Sequence, residues 1–201
     1  MSDLKKRIFL TGVGGQGTLT ATKILAQAAL DNGLPVTAGE IHGMAQRGGV
    51  VESTVLIGGY RSPKIAHGQA HILLGFEPLE TLRALPYLAK DAVILSSSEI
   101  IPPIGVTAGR ETYPSMDSIK EKAAACSRRS CFIPCLSLGR EAGSEQSANM
   151  VLLGGLCALN ELPFGLDRLS ETIKANLKPK LVDMNLAAIK LGAKAVLEQK
   201  V

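Results

Sequence analysis

Two glycine-rich turns, separated by one amphipathic helix, constrain this chain more than any other feature of its sequence. The first turn, GVGGQG at residues 12–17, follows the apolar run at residues 8–10. The second, HGMAQRGG at residues 42–49, follows a strand-like stretch at residues 36–41. Between them, residues 18–30 repeat apolar side chains at helical spacing. Strand, turn, helix, strand and turn open a βαβ unit, which predicts both turns at one edge of a parallel sheet, where α/β proteins place ligands and partners.

The remaining segments predict an α/β fold with three layers, α/β/α. Residues 6–10 are short and apolar, as expected of a central parallel strand, whereas residues 50–56 alternate and indicate a strand that is antiparallel or near an edge. From residue 144 onward the pattern is helical, so a C-terminal helical layer should close one face of a mostly parallel sheet. We expect residues 1–201 to form a single domain. Further strands are predicted at residues 64–66, 70–74, 92–95 and 131–136.

The composition excludes several classes of function. Of the 201 residues, 46% are hydrophobic and 20% are charged, as in an ordinary soluble globular protein. Aromatic residues make up 3% and tryptophan is absent, which argues against the stacking platforms that bind single-stranded nucleic acid. The net charge of +4 is scattered in short clusters, so no nucleic-acid partner is expected. No apolar run approaches the roughly 20 residues of a membrane span and no signal-peptide pattern follows Met1, so we expect a cytoplasmic protein without membrane contact.

The four cysteines lack the spacing of a metal or cluster site. Cys126, Cys131, Cys135 and Cys157 form neither a C-x-x-C pair nor the run of a ferredoxin-type cluster. We interpret them as buried or half-buried reduced thiols, with zinc, cluster and redox roles as the alternatives. No metal ligands and no catalytic nucleophile with an evident base are predicted, so any iron–sulfur chemistry must lie on another chain.

The first turn is the candidate site for a ligand or for a second protein chain. Its members are Gly12, Gly14, Gly15, Gln16 and Gly17. Residues without a Cβ atom let another molecule approach the backbone closely. The helix that follows presents free N–H groups and a positive dipole end, which attract phosphate or carboxylate. A Walker A loop is excluded, because Thr18 stands where its Lys-Ser/Thr pair would have to begin.

Glu40 keeps a second hypothesis open. It lies about where a dinucleotide-binding fold places the acid that holds the ribose, and the G-x-G-x-x-G spacing of the first turn fits the same fold. A free-standing NAD(P)-dependent oxidoreductase is therefore the rival hypothesis. It is disfavoured by the second turn, which a dinucleotide site does not need.

The second turn places three polar side chains in one compact loop. His42, Gln46 and Arg47 stand there among three glycines. Taken separately, His42 suits a structural histidine and Arg47 suits a surface charge. Taken together beside paired glycines, Gln46 and Arg47 are typical of a rigid recognition loop.

Both turns resemble those of the gamma subunit or domain of 2-oxoacid:ferredoxin oxidoreductases. The second turn is most similar to the small (beta) subunit of the indolepyruvate members of that family, and in its context it is highly specific, whereas the first turn alone is not. The resemblance covers nearly the whole chain, and it continues in the segments GFEPLE at 75–80, IPP at 101–103, NMVLLG at 149–154 and NLAAI at 185–189.

The resemblance implies a subunit of a complex that oxidatively decarboxylates a 2-oxoacid, transfers the acyl group to coenzyme A and reduces ferredoxin. Larger subunits would hold thiamine diphosphate, magnesium and iron–sulfur clusters, and this chain would dock on them. Alone it is then expected to bind no cofactor and to be inactive, and its self-association as a homodimer stays open. The residues expected to contact the partner or to complete a coenzyme A channel are Gly12, Gly14, Gly15, Gln16, Gly17, His42, Gln46 and Arg47.

Subunit packing alone is the alternative role for these eight residues, because a glycine turn suits contact with protein as well as with phosphate. Two stretches also depart from the family pattern. His71 stands where relatives commonly carry Asp, and residues 97–99 (SSE) stand where they often have an Asn-Thr pair. These departures leave the fold assignment intact and leave the 2-oxoacid undefined.

Overall fold

One mixed β-sheet organises the chain, which a computed structural model describes at residues 5–42, 49–110 and 112–199, with the backbone alone at residues 41, 42 and 104. Within these residues the sheet has six strands in the order β2-β3-β1-β4-β5-β6. The strands are β1 (Lys6–Val13), β2 (Val36–His42), β3 (Val50–Ile57), β4 (Ala70–Gly75), β5 (Leu88–Ser97) and β6 (Arg129–Ile133).

β3 alone runs against the other strands of this sheet. It lies between β1 and β2 and pairs antiparallel with both, whereas the pairs β1–β4, β4–β5 and β5–β6 are parallel. The sheet is therefore mostly parallel, as predicted. Of the two alternatives for residues 50–56, antiparallel or near an edge, the structure shows the antiparallel one. The first strand is central, but it is parallel to β4 only, because β3 separates it from β2.

Two of the expected strands were wrong in part or in full. Residues 64–66 form no strand, and Ile65 instead lies buried in a loop against one face of the sheet. The last strand ends at Ile133 and not at residue 136, and Cys135 begins a helix that the sequence pattern did not predict. Pro134 explains this end, because a proline has no N–H to donate to a ladder and is tolerated where a helix begins.

Helices cover both faces of the sheet and complete the three predicted layers. They are α1 (Thr18–Asp31), α2 (Pro78–Ala84), α3 (Ile104–Thr107), α4 (Met116–Cys126), α5 (Cys135–Ala142), α6 (Ala148–Ala158), α7 (Leu166–Asn176) and α8 (Pro179–Glu198), with 3-10 turns at Leu85–Tyr87 and Glu145–Ser147. The first face carries α1 and the helices α5 to α8, which form the predicted C-terminal helical layer. The second face carries α2 and α4.

Alternate residues of the central strands divide the core between these two faces. On β1, Ile8 and Leu10 pack on the first face and Phe9 packs on the second. All three side chains are at most 2% exposed. Burial on both faces is why the central strands read as continuous apolar runs in the sequence.

Two glycines let α6 and α8 cross in direct backbone contact. A Cβ atom on Gly154 would lie 1.9 Å from the carbonyl oxygen of Ile189, and one on Gly192 would lie 1.9 Å from the carbonyl oxygen of Val151. Each glycine therefore faces the backbone of the other helix, which has no rotamer to move aside. This contact fixes α6, whose first turn reaches the candidate site described below.

We predict that Gly192→Ala destabilises the protein by about 3 kcal/mol, because overpacking against backbone costs more than the helix propensity that alanine adds. Urea unfolding of the purified chain measures this loss. Gly165→Ala is the matched control, since a Cβ there meets nothing within 4 Å, and its effect should stay below about 1 kcal/mol. Equal losses in the two variants would contradict the packing argument.

His71, one of the departures from the family pattern, supports the end of the sheet at which β1 begins. Its Nδ1 accepts the Arg7 N–H at 3.0 Å, which requires that nitrogen to be unprotonated. Burial lowers the pKa of His71, and the neighbouring charges of Arg7 and Lys6 lower it further. The folded protein therefore prefers the neutral imidazole.

The preference of His71 for the neutral form predicts a loss of stability in acid. The unfolded chain binds a proton at this histidine near pH 6.5, whereas the folded chain binds it only at lower pH, so the free energy of unfolding should fall as the pH drops below about 6.5. His71→Asn, which keeps an acceptor and cannot titrate, should weaken this pH dependence. The urea midpoints of the wild type and of His71→Asn at about pH 7.5 and 5.5 measure this effect. An equal fall of the midpoint in both proteins would disprove the role of His71.

Candidate functional site

The two glycine turns start from one row at the carboxyl edge of the sheet. Gly12 on β1 and His42 on β2 both pair with Val51 on β3, so the three residues lie side by side across the sheet. Just beyond this row the Gly14 N–H donates to the Gly49 carbonyl at 2.9 Å. The first turn and the two ends of the second, His42 and Gly49, therefore lie at one edge as predicted, although an antiparallel strand lies between their two parallel strands.

Three of the predicted site side chains lie outside the part of the chain that the structure describes. They are Gln46, Arg47 and the side chain of His42. The structure fixes where their segment leaves the sheet at His42 and where it returns at Gly49. The roles of these three side chains remain predictions.

Gln16 braces the first turn from inside. Its Oε1 accepts the Val13 N–H at 2.7 Å and its Nε2 donates to the Phe76 carbonyl at 2.7 Å. The side-chain amide thus joins the end of β1 to the segment that follows β4. Since both ends of this amide are engaged within the chain, Gln16 sets the shape of the turn.

Close packing explains two glycines of the first turn and leaves a third facing open space. A Cβ on Gly12 would lie 2.7 Å from the Cβ of Phe76, and one on Gly17 would lie 2.4 Å from Nδ2 of Asn149. Gly17 also has a φ of 76° where it precedes α1. Gly15 is exposed, with a φ of 104° and nothing within 4 Å of an added Cβ. The outer side of the turn at Gly15 is therefore accessible to another molecule.

Two adjoining cavities lie against this turn on the first face of the sheet. One, of about 300 Å³, is lined by residues at the carboxyl ends of β1, β4 and β5 and at the start of α5. The other, of about 290 Å³, lies between the first turns of α1 and α6 and the side of α8. Gly15 and Gln146 line both cavities. Such a crevice beyond the carboxyl ends of parallel strands is where α/β proteins bind ligands.

The crevice combines hydrogen-bond donors with one acidic residue, Glu145, which lines the first cavity and is paired with Arg140. α1 starts beside it at Thr18, and its first N–H groups have no acceptor within the helix. The hydroxyls of Thr18 and Ser147 are buried, and neither has a hydrogen-bond partner among the described residues. Asn149 ties α6 to this place, because its Nδ2 donates to the Gly17 carbonyl at 3.2 Å. Backbone donors of this kind can bind phosphate oxygens, and Ser147 lies in the wall of the second cavity.

Glu40 lies away from this crevice. It pairs with Ser53 on β3, which pairs in turn with Leu10 on β1, so two strand spacings, or about 10 Å, separate Glu40 from β1. A dinucleotide fold places the ribose-binding acid on the strand next to β1. Glu40 instead lines a groove of about 720 Å³ between α1 and β2, which contains none of residues 12–17. This geometry argues against the NAD(P) hypothesis.

Two acidic residues that the sequence pattern did not single out hold the segments around the crevice. Glu77, with 0% exposure, caps α2 by accepting the Leu79 and Glu80 N–H groups at 2.7 and 3.0 Å, and it also accepts the Tyr113 hydroxyl. Burial raises the pKa of Tyr113, and the hydrogen bond to Glu77 raises it further, so the phenol stays a donor. Glu77 comes directly before Pro78, a common first residue of a helix, and this was the signal available in the sequence.

Glu99 caps the start of α5 as Glu77 caps the start of α2. Its carboxylate accepts the Ser137 N–H at 3.0 Å and the Ser137 hydroxyl at 2.6 Å, which caps the helix start beside the crevice. Glu99 belongs to the SSE departure from the family pattern, so this departure has a structural role. No sequence signal marked it, because α5 itself was not predicted.

Three of the four cysteines lie inside the protein. Cys131, Cys135 and Cys157 are buried, as interpreted, whereas Cys126 is exposed on α4. Burial raises the pKa of the Cys157 thiol to about 12. Across residues 5–42, 49–110 and 112–199, no group of three or more His, Cys, Asp or Glu side chains could hold a metal ion. The helices in those ranges also include none long and apolar enough to cross a membrane.

Comparison with known proteins gives consistent matches over almost the whole chain. Residues 7–195 match the family model described as pyruvate ferredoxin/flavodoxin oxidoreductase. Indolepyruvate oxidoreductase subunit IorB of Archaeoglobus fulgidus is 42% identical over 190 residues, which are 94% of this chain and 94% of that protein.

Solved structures share the fold. The gamma subunit of keto/oxoacid ferredoxin oxidoreductase from Geobacter sulfurreducens aligns with a TM-score of 0.70 at 22% identity, over 96% of this chain and 98% of that one. A 2-oxoglutarate:ferredoxin oxidoreductase from Magnetococcus marinus, solved with 2-oxoglutarate, coenzyme A and succinyl-CoA bound, aligns with a TM-score of 0.73 at 18% identity. That match covers 98% of this chain and 32% of the other.

The brace made by Gln16 can be tested on the purified chain. Gln16→Glu keeps the acceptor for the Val13 N–H but turns a carboxylate oxygen toward the Phe76 carbonyl, so we expect a loss of about 1–3 kcal/mol in the free energy of unfolding. Urea denaturation measures it. Gln69→Glu is the control, since the exposed Gln69 uses its side-chain oxygen as an acceptor, which glutamate retains. A loss at Gln69 as large as that at Gln16 would show that the brace has no special role.

Proposed function

Since the chain belongs to the pyruvate ferredoxin/flavodoxin oxidoreductase family, we propose that it is the subunit of a 2-oxoacid:ferredoxin oxidoreductase that docks on the larger subunit and completes the coenzyme A channel. The larger subunit holds thiamine diphosphate, magnesium and the iron–sulfur clusters and passes electrons to ferredoxin. The 2-oxoacid is indolepyruvate, as in the name of the Archaeoglobus fulgidus relative. The observation that carries this proposal is the crevice beside the first glycine turn, with the start of α1 at its side.

The carboxyl edge of the sheet, from which both glycine turns start, has a shape that supports docking. The two turns leave the sheet from one row and are joined by the Gly14–Gly49 hydrogen bond. Gly15 has no side chain to hold a partner away. A surface of this kind lets a second chain approach to backbone contact. The segment with His42, Gln46 and Arg47 borders the same edge, and Arg47 supplies the fixed positive charge there.

Coenzyme A suits the crevice because its phosphates are the kind of anion that the crevice can bind. The start of α1 offers backbone N–H groups, and the buried hydroxyls of Thr18 and Ser147 lack partners among the described residues. The two cavities together are about the size of the smaller ligand sites of proteins. The related 2-oxoglutarate enzyme was solved with coenzyme A bound, which supports the choice of this anion over others.

We predict that a negative charge at Gly15 weakens coenzyme A binding in the assembled enzyme. Gly15→Asp and Gly15→Asn impose the same shape and nearly the same backbone strain at a positive φ, so they differ mainly in charge. The Asp variant should raise the KM for coenzyme A about tenfold over the Asn variant, since one repelled phosphate contact is worth about 1.4 kcal/mol. The KM for the 2-oxoacid should be equal in the two variants. Steady-state kinetics of the complex reconstituted with the larger subunit measures both constants.

Equal KM values for coenzyme A in the Asp and Asn variants would exclude the crevice from the channel. Failure of the wild-type chain to bind the larger subunit, together with tight binding of NADH to the isolated chain, would favour the dinucleotide hypothesis instead. Pull-down with the larger subunit and a fluorescence titration with NADH separate these two outcomes.

A further inference from the structure

The second face of the sheet has its own cavity of about 310 Å³, separate from the crevice on the first face. Its apolar walls include Phe9, Pro63, Ile65 and Tyr87. The rings of Phe9 and Tyr87 are stacked with their centroids 4.2 Å apart, so this side of the cavity is a flat aromatic wall. Nothing in the proposed coenzyme A channel uses this cavity.

The cavity contains a carboxyl group that the described residues leave unpaired. Glu52 lines it from β3, where its row also holds Thr11. The side chain of Glu52 takes part in no hydrogen bond or ion pair between described residues. Burial raises the pKa of Glu52. A half-buried acid in an apolar cavity, with no counter-charge among the described residues, is a cost to the folded chain.

Glu80 adds a second unsatisfied acid close to Glu52. It is 3% exposed on α2, and its Oε1 pairs with Nη1 of Arg83 at 2.7 Å, but its Oε2 has no partner among the described residues. Burial raises the pKa of Glu80, and the charge of Glu52 is near enough to raise it further. Glu52 also raises the pKa of Tyr87, whose ring forms the cavity wall. Arg83 opposes the effect of burial on the pKa of Glu80, so the acid that lacks a cation among the described residues is Glu52.

Lys64, which also lines the cavity, does not neutralise this charge. Its side chain is exposed, and no ion pair joins it to Glu52 in the described part of the chain. A lysine that can reach solvent keeps its charged end hydrated. Among the residues that the structure describes, the carboxylate of Glu52 is thus left without a cation.

We propose that this cavity is a receptor for one basic side chain of the larger subunit, with the aliphatic stem against Phe9 and Tyr87 and the charged end on Glu52. The proposal rests on the docking that forms part of the proposed function. An arginine fits best, since its planar guanidinium stacks on aromatic rings and pairs with carboxylates.

Two further observations favour a protein side chain over a small molecule. The cavity volume is at the lower limit for sites that bind free ligands. Glu52 is in the row next to the one that holds Gly12, Val51 and His42, so the cavity lies beside the edge that is proposed to dock. A partner chain seated on that edge is in reach of the cavity.

The proposal predicts opposite effects of one substitution on the free chain and on the complex. Glu52→Gln removes an unpaired charge, so the urea midpoint of the isolated chain should stay the same or rise. The same change leaves the partner's cation without its carboxylate, so the dissociation constant for the larger subunit should rise about tenfold to a hundredfold. Glu121→Gln, the same change on an exposed position of α4, should leave both quantities unchanged. Denaturation curves and titration of labelled full-length chain with the larger subunit provide the two measurements.

Each alternative gives a different result. Unchanged assembly in Glu52→Gln, with normal assembly of the wild type, overturns the receptor and leaves the proposed function standing. A lower urea midpoint together with weaker assembly assigns Glu52 a structural role and also overturns it. Binding of agmatine to the free chain, lost in Glu52→Gln without any effect on assembly, makes the cavity a small-molecule site instead. Absence of binding between the wild-type chain and the larger subunit defeats the proposed function itself.

Discussion

The insertion of β3 between β1 and β2 is the constraint on which the rest of the structure depends. Because β3 pairs antiparallel with both strands, β1 and β2 run in the same direction and end in one row, Gly12–Val51–His42. The two glycine turns therefore leave the sheet side by side although their strands never touch. The hydrogen bond from Gly14 to Gly49 joins the turns beyond the sheet. A standard dinucleotide fold, with β1 and β2 adjacent, would place the second turn about 5 Å closer to the first.

The same insertion explains which parts of the fold and the site could be predicted from sequence. Local patterns were sufficient for α1, for the C-terminal helical layer and for the antiparallel strand at residues 50–57, because apolar spacing is set by burial within each element. Strand order was not accessible, since the pairing of β3 with β1 depends on contacts between distant segments. The helix at Cys135 was missed for a related reason. Its start is held by Glu99, which lies 38 positions before Ser137 in the chain.

Of the candidate site, the sequence located the turns but not the groups that complete it. Glycines are visible in a sequence because few other residues tolerate the positions they occupy, as the contact of Gly17 with Asn149 shows. Nothing in the sequence marks Ser147 and Thr18. They come close together only because α6 packs with its first turn near the start of α1. Glu52 is a similar case. In an alternating strand it has the appearance of a solvent-facing charge, but the loop that carries Ile65 and the ring of Tyr87 line the cavity around it.

The two faces of the docking edge now carry opposite polarities, and this asymmetry is itself an argument about the partner. On the first face, the start of α1 and the unpaired hydroxyls need an acceptor of hydrogen bonds. On the second face, Glu52 has no cation among the described residues, whereas Glu80 is already paired with Arg83. A single flat partner surface of one charge cannot satisfy both. Under the proposed docking, a larger subunit that presents a basic side chain to the second face and leaves the first face open to an anionic co-substrate would satisfy both faces. Such an arrangement would also fix the orientation in which the chain docks.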